Sequence, residues 1–269
     1  MNENKKGKKY KFPDSFILAI GYIRYSFHLP YRQTEGIIKA TGKNIPDHPS
    51  YGHICKRINK LNVYIDNSKI DDDIVIAVDS TGIKITNRGQ WMDDKWGNKT
   101  KTRKKKKGYL KIHVAVDIKT KEILALEVTD EKVHDGRKIM PKLIEHILKI
   151  RNKNKKFDIK SVLADGSYDS NKNFKYLERK KIRPSIKVRK NSIMAPKNNM
   201  LRNIEVNSQI KDLFKWKKRR TYGYRWMVET AFSSIKLMFG EHTSATKFQN
   251  MVKEMVMKGS LYNLFSRLV

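Results

Sequence analysis

Ile74-Val75-Ile76-Ala77-Val78-Asp79-Ser80-Thr81-Gly82 is the stretch that decides how this chain is read. Its first five residues are apolar with no polar alternation, the pattern of a strand buried on both faces of a sheet. An acid, Asp79, follows directly. Val162-Leu163-Ala164 repeats the arrangement further on as a short central strand ending at Asp165. Open α/β sheets place their sites where central strands end, so an acid there stands at a position suited to chemistry. A lone Asp in such a place commonly caps the following turn with its own carboxylate. Two on separate core strands point to function instead, and on neighbouring parallel strands they could share a divalent ion. Mg²⁺ suits such a pair because it prefers carboxylate and water oxygens.

Outward from that stretch the periodicity changes. Upstream, Phe16, Ile17, Ile20, Ile23 and Phe27 recur at helical spacing until Pro30 ends the segment. A second helix is expected from Tyr31 to Ala40 with Gly42 as its C-cap. A third follows Pro46 and Pro49, capped by Ser50 and carrying Ile54, Ile58 and Leu61. Three short helices with a basic third one (Lys56, Arg57, Lys60) resemble a helix-turn-helix bundle. Residues 1–65 are therefore either a DNA-docking region or a helical brace on the next domain. Downstream, Ile83 to Thr86 continues the first strand, and Leu110, Ile112, Val114 and Val116 alternate as the next. Asp117 to Glu122 turns the chain into a strand over Ile123 to Val128, giving a hairpin. Residues 137–151 form an amphipathic helix, Phe174 and Leu177 belong to another, and Ile182 to Val188 is a strand whose Pro184 suits an edge. A polar stretch at 190–220 precedes helices over about Tyr222 to Phe239 and Thr246 to Leu268. This order predicts an α/β domain over 70–269: a mixed sheet with helices on its faces and only a short insertion, about 190–220.

Composition narrows the partners. Lys and Arg number 59 against 27 acids, a formal charge of +32. Such a field favours a polyanion, nucleic acid ahead of a membrane or an acidic protein. One cysteine, Cys55, excludes a disulfide framework and any multi-thiolate zinc site, and the seven scattered His carry no ligand spacing. The early apolar stretch from Phe16 to Ile23 is too short to span a bilayer and lacks a cleavage site. A soluble protein of the reducing cytoplasm, without a membrane partner, is expected.

The segment from 222 to 239 sharpens the chemistry. On a helical wheel Tyr222, Arg225, Glu229 and Lys236 fall within roughly 60° of one another. Val228, Ala231, Phe232, Ile235, Met238 and Phe239 occupy the opposite, core-facing side. Arg forks onto phosphate oxygens, Lys acts as a point charge, and Tyr adds a hydroxyl and a stacking ring. An ordinary i,i+4 pairing explains Arg225 with Glu229, but not Tyr222 and Lys236 on the same stripe.

Tyr-x2-Arg-x3-Glu-x6-Lys, read here as Tyr222, Arg225, Glu229 and Lys236, resembles the YREK signature of prokaryotic insertion-sequence DDE transposases of the families numbered four and five. Val78-Asp79-Ser80-Thr81-Gly82 is similar to the first acidic motif of that group, and Ala164-Asp165-Gly166-Ser167-Tyr168-Asp169-Ser170 to its second. His113-Val114-Ala115-Val116-Asp117 and Tyr31-Arg32-Gln33-Thr34-Glu35-Gly36 also read like family sequence, so the resemblance covers nearly the whole chain. It implies an RNase H-like domain in which Asp79, Asp165 and Glu229 are catalytic and hold two Mg²⁺ ions, with Mn²⁺ as a substitute. Asp169 competes for the second place, and Asp165 is preferred because it directly follows the apolar run. Tyr222, Arg225 and Lys236 would hold the phosphates of a transposon end. The implied reaction is cleavage at the ends, followed by attack of the freed 3′-hydroxyl on target DNA. The partners are double-stranded DNA, terminal inverted repeats and target alike, and a second copy of the chain in a homodimer that pairs two ends. A DNA-binding protein that no longer cuts, and an RNase H-like nuclease or resolvase, are the alternatives. Asp165 and Glu229 are 64 positions apart, too few for the large β-rich insertion of some relatives.

Two basic runs supply further contacts. Lys95 to Lys111 holds nine Lys or Arg and no acid, including Arg103, Lys104, Lys105, Lys106 and Lys107 as DNA-binding candidates. Lys172 to Lys190 holds nine more with one Glu. Trp91 and Trp96 are read first as core, with stacking on an unpaired base as the alternative.

Overall fold

In a computed structural model of the protein, the described residues are 7, 9, 11–41, 47–65, 73–85, 108–131, 133, 135–154, 157–194 and 200–268. The expected Gly42 cap, Trp91 and Trp96, and the candidates Arg103, Lys104, Lys105, Lys106 and Lys107 lie outside them. Three helices lead, α1 (Asp14–Ser26), α2 (Tyr31–Ala40) and α3 (Tyr51–Ile58). Strands β1 (Ile74–Lys84), β2 (Tyr109–Asp117) and β3 (Ile123–Asp130) follow, then α4 (Asp135–Asn154), β4 (Ile159–Ala164), α5 (Asn171–Arg179) and β5 (Arg183–Ile186). The chain closes with α6 (Met200–Lys211), α7 (Leu213–Arg219), a 3₁₀ turn (Tyr222–Arg225), α8 (Trp226–Phe239) and α9 (Phe248–Ser266).

The described strands form one mixed sheet in the order β3-β2-β1-β4-β5. β1, β2 and β3 pair antiparallel as a meander, while β4 joins β1, and β5 joins β4, in parallel. β5 is an edge strand, as Pro184 required. β1 runs on past Asp79 to Lys84, since its second half keeps β2 as a partner after β4 has ended.

Side chains alternate across a strand, and this divides the core in two. Ile76 and Val78 of β1, with Val162 and Ala164 of β4, pack under α4 and α5. Ala77 and Leu163 turn to the opposite face, where α1, α3, α8 and α9 cover the sheet. Ile17, Ile20, Ile54 and Ile58 of the leading helices share that cluster with Val228, Ala231 and Met257, all buried. Polar contacts tie the same layers: Tyr22 Oη and Ser260 Oγ are 2.8 Å apart, and Lys253 donates to the Asn59 carbonyl.

Three features depart from what the sequence pattern predicts. Pro30 stands at the N-cap of α2, four residues beyond the end of α1, and His28 between them takes a left-handed φ of 53°. Arg57 is no exposed DNA-facing base. It is buried, donates to the Phe12 carbonyl and pairs with Asp14 at the start of α1. The polar stretch 190–220 contains two helices, α6 and α7, whose inward faces carry polar groups that give no apolar stripe. Glu205, buried in α6, accepts from Trp216 Nε1 at 2.6 Å and from Arg220. Among the described residues no helix is long and apolar enough to cross a membrane.

Candidate active site

Register and alternation bring the first two acids together. The last β1–β4 pair is Val78 with Ala164, so Asp79 and Asp165 are the next residues of two adjacent parallel strands. Val78 and Ala164 face α4 and α5; one residue on, both acids turn to the α8 side. Val228, Ala231, Phe232 and Ile235 seat α8 on that face, which brings Glu229 to the site.

Arg225 connects these elements. Its Nη1 donates to Asp79 Oδ2 at 2.8 Å, and its Nη2 donates to Glu229 Oε1. Asp79 Oδ1 accepts from the Ser80 N–H at 2.8 Å. Asp165 Oδ1 accepts from the Ser167 N–H at 3.0 Å and from Ser167 Oγ at 2.5 Å, so the local capping role is real for both acids. Both Asp79 oxygens are thus engaged, Oδ1 by the Ser80 N–H and Oδ2 by Arg225, while the Ser167 bonds to Asp165 fall on Oδ1 alone. Burial pushes the Asp79 carboxyl above its ordinary range; the Ser80 N–H and Arg225 oppose this, while the charges of Asp165 and Glu229 add to it. The site thus concentrates negative charge and calls for a cation.

Tyr222 is buried at the base of the site, its ring 5.1 Å from that of Trp216. Burial pushes its hydroxyl up to about 12, with Arg225 opposing and Asp165 and Asp79 adding to the rise. It is a wall of the site with its ring already packed, so it offers no stacking face to a base. Tyr222 and Arg225 also belong to the 3₁₀ turn, not to α8. Thr221 before them holds a left-handed φ of 52°, which sets the turn's entry. Lys236 is half-buried on α8, roughly 10 Å along the axis from Glu229. The structure therefore groups Asp79, Asp165, Glu229, Tyr222 and Arg225 and leaves Lys236 at the margin.

Asp169, the competing acid, is fully engaged. Arg202 donates Nε to Oδ1 at 2.7 Å and Nη2 to Oδ2 at 3.1 Å, while Ser192 Oγ and the Arg189 N–H also reach Oδ2, at 2.7 and 3.2 Å. Burial raises this carboxyl, but these donors outweigh it and hold it below the usual carboxylate range. Arg189 Nε also donates to the Gly166 carbonyl at 3.1 Å, so the network clamps the turn that presents Asp165. Sequence reading missed this clamp, because Arg202 and Ser192 lie far from the acidic motif along the chain. Tyr224 and Trp226 stand exposed on either side of Arg225.

The carboxylate oxygens of Asp79, Asp165 and Glu229 are the hard donors that Mg²⁺ or Mn²⁺ prefers, so the donor set fits a divalent ion. Among the described residues no three His, Cys, Asp or Glu side chains stand grouped for a metal. Positive charge at the acids comes from Arg225, which bridges two of the three.

Among solved structures, the chain is similar to the Mos1 transposase paired-end complex with left transposon end, at 11% identity over 85% of this chain and 81% of that one, with a TM-score of 0.30. The Mos1 strand transfer complex matches at 10% identity over 96% and 78%, with a TM-score of 0.27. A family model described as a transposase DDE domain matches residues 70–264, and a second of the same description matches residues 1–88. The α/β class expected of an RNase H-like domain is the architecture found. With acids on two adjacent core strands and a third on the covering helix, and with the first match extending over well more than half of its length, the chain belongs to the transposase DDE domain family.

Proposed function

We propose that this protein is a DDE transposase of the YREK insertion-sequence group. In this reading it cleaves transposon-end DNA in a metal-dependent step and joins the freed 3′-hydroxyl to target DNA. The observation that supports the reading is that Arg225 bridges Asp79 of β1 and Glu229 of α8, with Asp165 following the end of the adjacent parallel strand β4. Asp79, Asp165 and Glu229 would hold two Mg²⁺ ions, or Mn²⁺ in their place. When bound, such ions supply Lewis-acid activation of the attacking oxygen and neutralise charge at the leaving oxygen.

The chain's own residues do the rest. Arg225 forks onto non-bridging phosphate oxygens and fixes the strand to be cut beside the acids. The Ser80 and Ser167 donors keep Asp79 and Asp165 from rotating away. Tyr222 backs Arg225 and excludes water from the floor of the site. Lys236, with Arg103, Lys104, Lys105, Lys106 and Lys107, attracts the flanking duplex through long-range charge. Double-stranded DNA at terminal repeats and target is the partner, held by a cytoplasmic homodimer that pairs two ends. The net charge of +32 and the family support DNA as the ligand.

Incubation with Mg²⁺ and paired-end DNA tests this. The unaltered protein is expected to give nicked ends and joined products, and Glu229→Gln neither. Normal cleavage by Glu229→Gln refutes the assignment of the acids. Nicking without joining favours a nuclease, and binding without either product favours a DNA-binding protein that no longer cuts.

A further inference from the structure

Arg225 stands where two different ligands would want it. Its Nη1 and Nη2 occupy Asp79 Oδ2 and Glu229 Oε1, oxygens that a divalent cation would need. Asp79 cannot substitute its other oxygen freely, because Oδ1 is held by the Ser80 N–H at 2.8 Å. A guanidinium does not lose its proton in a protein, so the competition ends only when the side chain moves. Movement is open to it: the side chain is 22% exposed, on a flexible stem at the N-cap of α8. A phosphate diester offers the same fork-shaped arrangement of anionic oxygens as a carboxylate.

We propose that Arg225 couples DNA to the cation: a phosphate diester bound at Arg225 draws it off Asp79 and Glu229 and so raises their affinity for a divalent ion. This rests on the metal-dependent reading above and deepens it. Without DNA, Arg225 neutralises the acids itself and a cation has to displace a positive charge. With DNA the guanidinium faces phosphate, and the carboxylates are released together. Coupling between sites is reciprocal, so the cation must tighten DNA binding by the same factor. The metal centre then assembles on DNA in preference to the free protein.

Mn²⁺ titration followed by electron paramagnetic resonance, with and without a duplex of the element's terminal repeat and corrected for duplex alone, tests the coupling without reading turnover. Unaltered protein should bind Mn²⁺ weakly when free and about tenfold more tightly on the duplex. Arg225→Ala should bind Mn²⁺ about tenfold more tightly than unaltered protein when both are free, with little further gain on the duplex. Arg225→Met, which keeps most of the aliphatic stem, should behave alike and guards against a folding defect in the alanine variant. Glu229→Gln should lose Mn²⁺ in either background. If Arg225→Ala and Arg225→Met leave free-protein affinity unchanged or weaker while Glu229→Gln still abolishes binding, the coupling is refuted and the metal reading stands. If Mn²⁺ binds to none of the proteins, on DNA or off, the metal reading falls and the coupling with it.

Discussion

At the scale of single residues, Asp79 and Asp169 show one side chain type put to opposite uses. Asp79 is held in a half-closed site among other acids, and its carboxyl is raised by burial first and by its neighbours after that. A raised folded value means that the ionised form is disfavoured in the fold. The penalty is present at neutral pH and disappears as pH falls below the unfolded value, where both states are protonated. Asp79→Asn is therefore expected to stabilise the fold on the order of 1 kcal/mol at pH 7 while abolishing cleavage, as site residues commonly trade stability for function. Urea midpoints at pH 7 and pH 3 check this, and the gain should vanish at the lower pH. Asp169 runs the other way. Its folded value is depressed, so its contribution is complete above the unfolded value and is lost as pH falls through the folded one. Asp169→Asn leaves the largely buried Arg202 without its charge partner and should cost about 3 kcal/mol at pH 7. The difference from unaltered protein should shrink in acid; a pH-independent loss would show that packing, not charge, carries the effect.

At the scale of elements, a side-chain amide pairs with the backbone at one end of each edge strand. Asn263 of α9 accepts from the Ile123 N–H and donates to the Ile123 carbonyl, each at 2.8 Å, along the outer edge of β3. Gln209 of α6 donates to the Ile186 carbonyl at 2.9 Å and accepts from the Val188 N–H at 3.0 Å, along the edge of β5. Each amide mimics one residue of a further strand, which blunts an edge that would otherwise invite pairing with another chain. Gln209→Ala removes two such bonds and should cost about 1–2 kcal/mol. Hydrogen exchange at the Val188 amide reads this directly: it should accelerate in Gln209→Ala while the Ile123 amide is unaffected. Equal acceleration at both sites would mean global destabilisation instead. The same contact helps to explain why a polar-looking 190–220 segment folds as helices, since α6 buries Glu205 and Gln209 beside Val206 instead of presenting a continuous apolar stripe. Hydropathy cannot register such an anchor.

At the scale of the whole molecule, residues 1–65 and the sheet share one apolar layer. Ile17, Ile20, Ile54 and Ile58 are essentially buried against α8, α9 and the sheet, and Gly21 lets α1 approach so closely that an added Cβ would lie 2.3 Å from Met257 Cε. Removing residues 1–65 is expected to uncover Val228, Ala231 and Met257 and to produce an aggregating or non-cooperatively unfolding remainder, checked by calorimetry and light scattering. A truncated chain that unfolded cooperatively near the original temperature would show that the leading helices are a separable module. The excess charge acts on the same scale. DNA affinity should fall steeply with salt, and reversing Lys104, Lys105, Lys106 and Lys107 should flatten the logarithmic slope by roughly 3 to 4 units if all four meet phosphate. An unchanged slope would remove that run from the interface.

Local pattern settled a good deal here. Unbroken apolar runs before Asp79 and Asp165, the alternation of the β2–β3 hairpin and the edge position of β5 follow from short-range pattern, because backbone geometry fixes which neighbours share a face. The helical wheel from Tyr222 to Lys236 does not hold throughout, since Tyr222 and Arg225 lie in a 3₁₀ turn. What periodicity cannot encode is which distant groups meet. The pairing of β1 with β4 brought two carboxylates to adjacent positions, and the seating of α8 carried Arg225 between Asp79 and Glu229. Long-range contacts assigned Asp169 to Arg202, gave Arg57 to Asp14 and turned the Tyr222 ring onto Trp216. In each case the sequence supplied a polar or aromatic side chain able to serve either a site or the scaffold. Burial and the partner found across the fold decided between the two, because an interior charge or hydroxyl must be satisfied by whatever packing brings within reach.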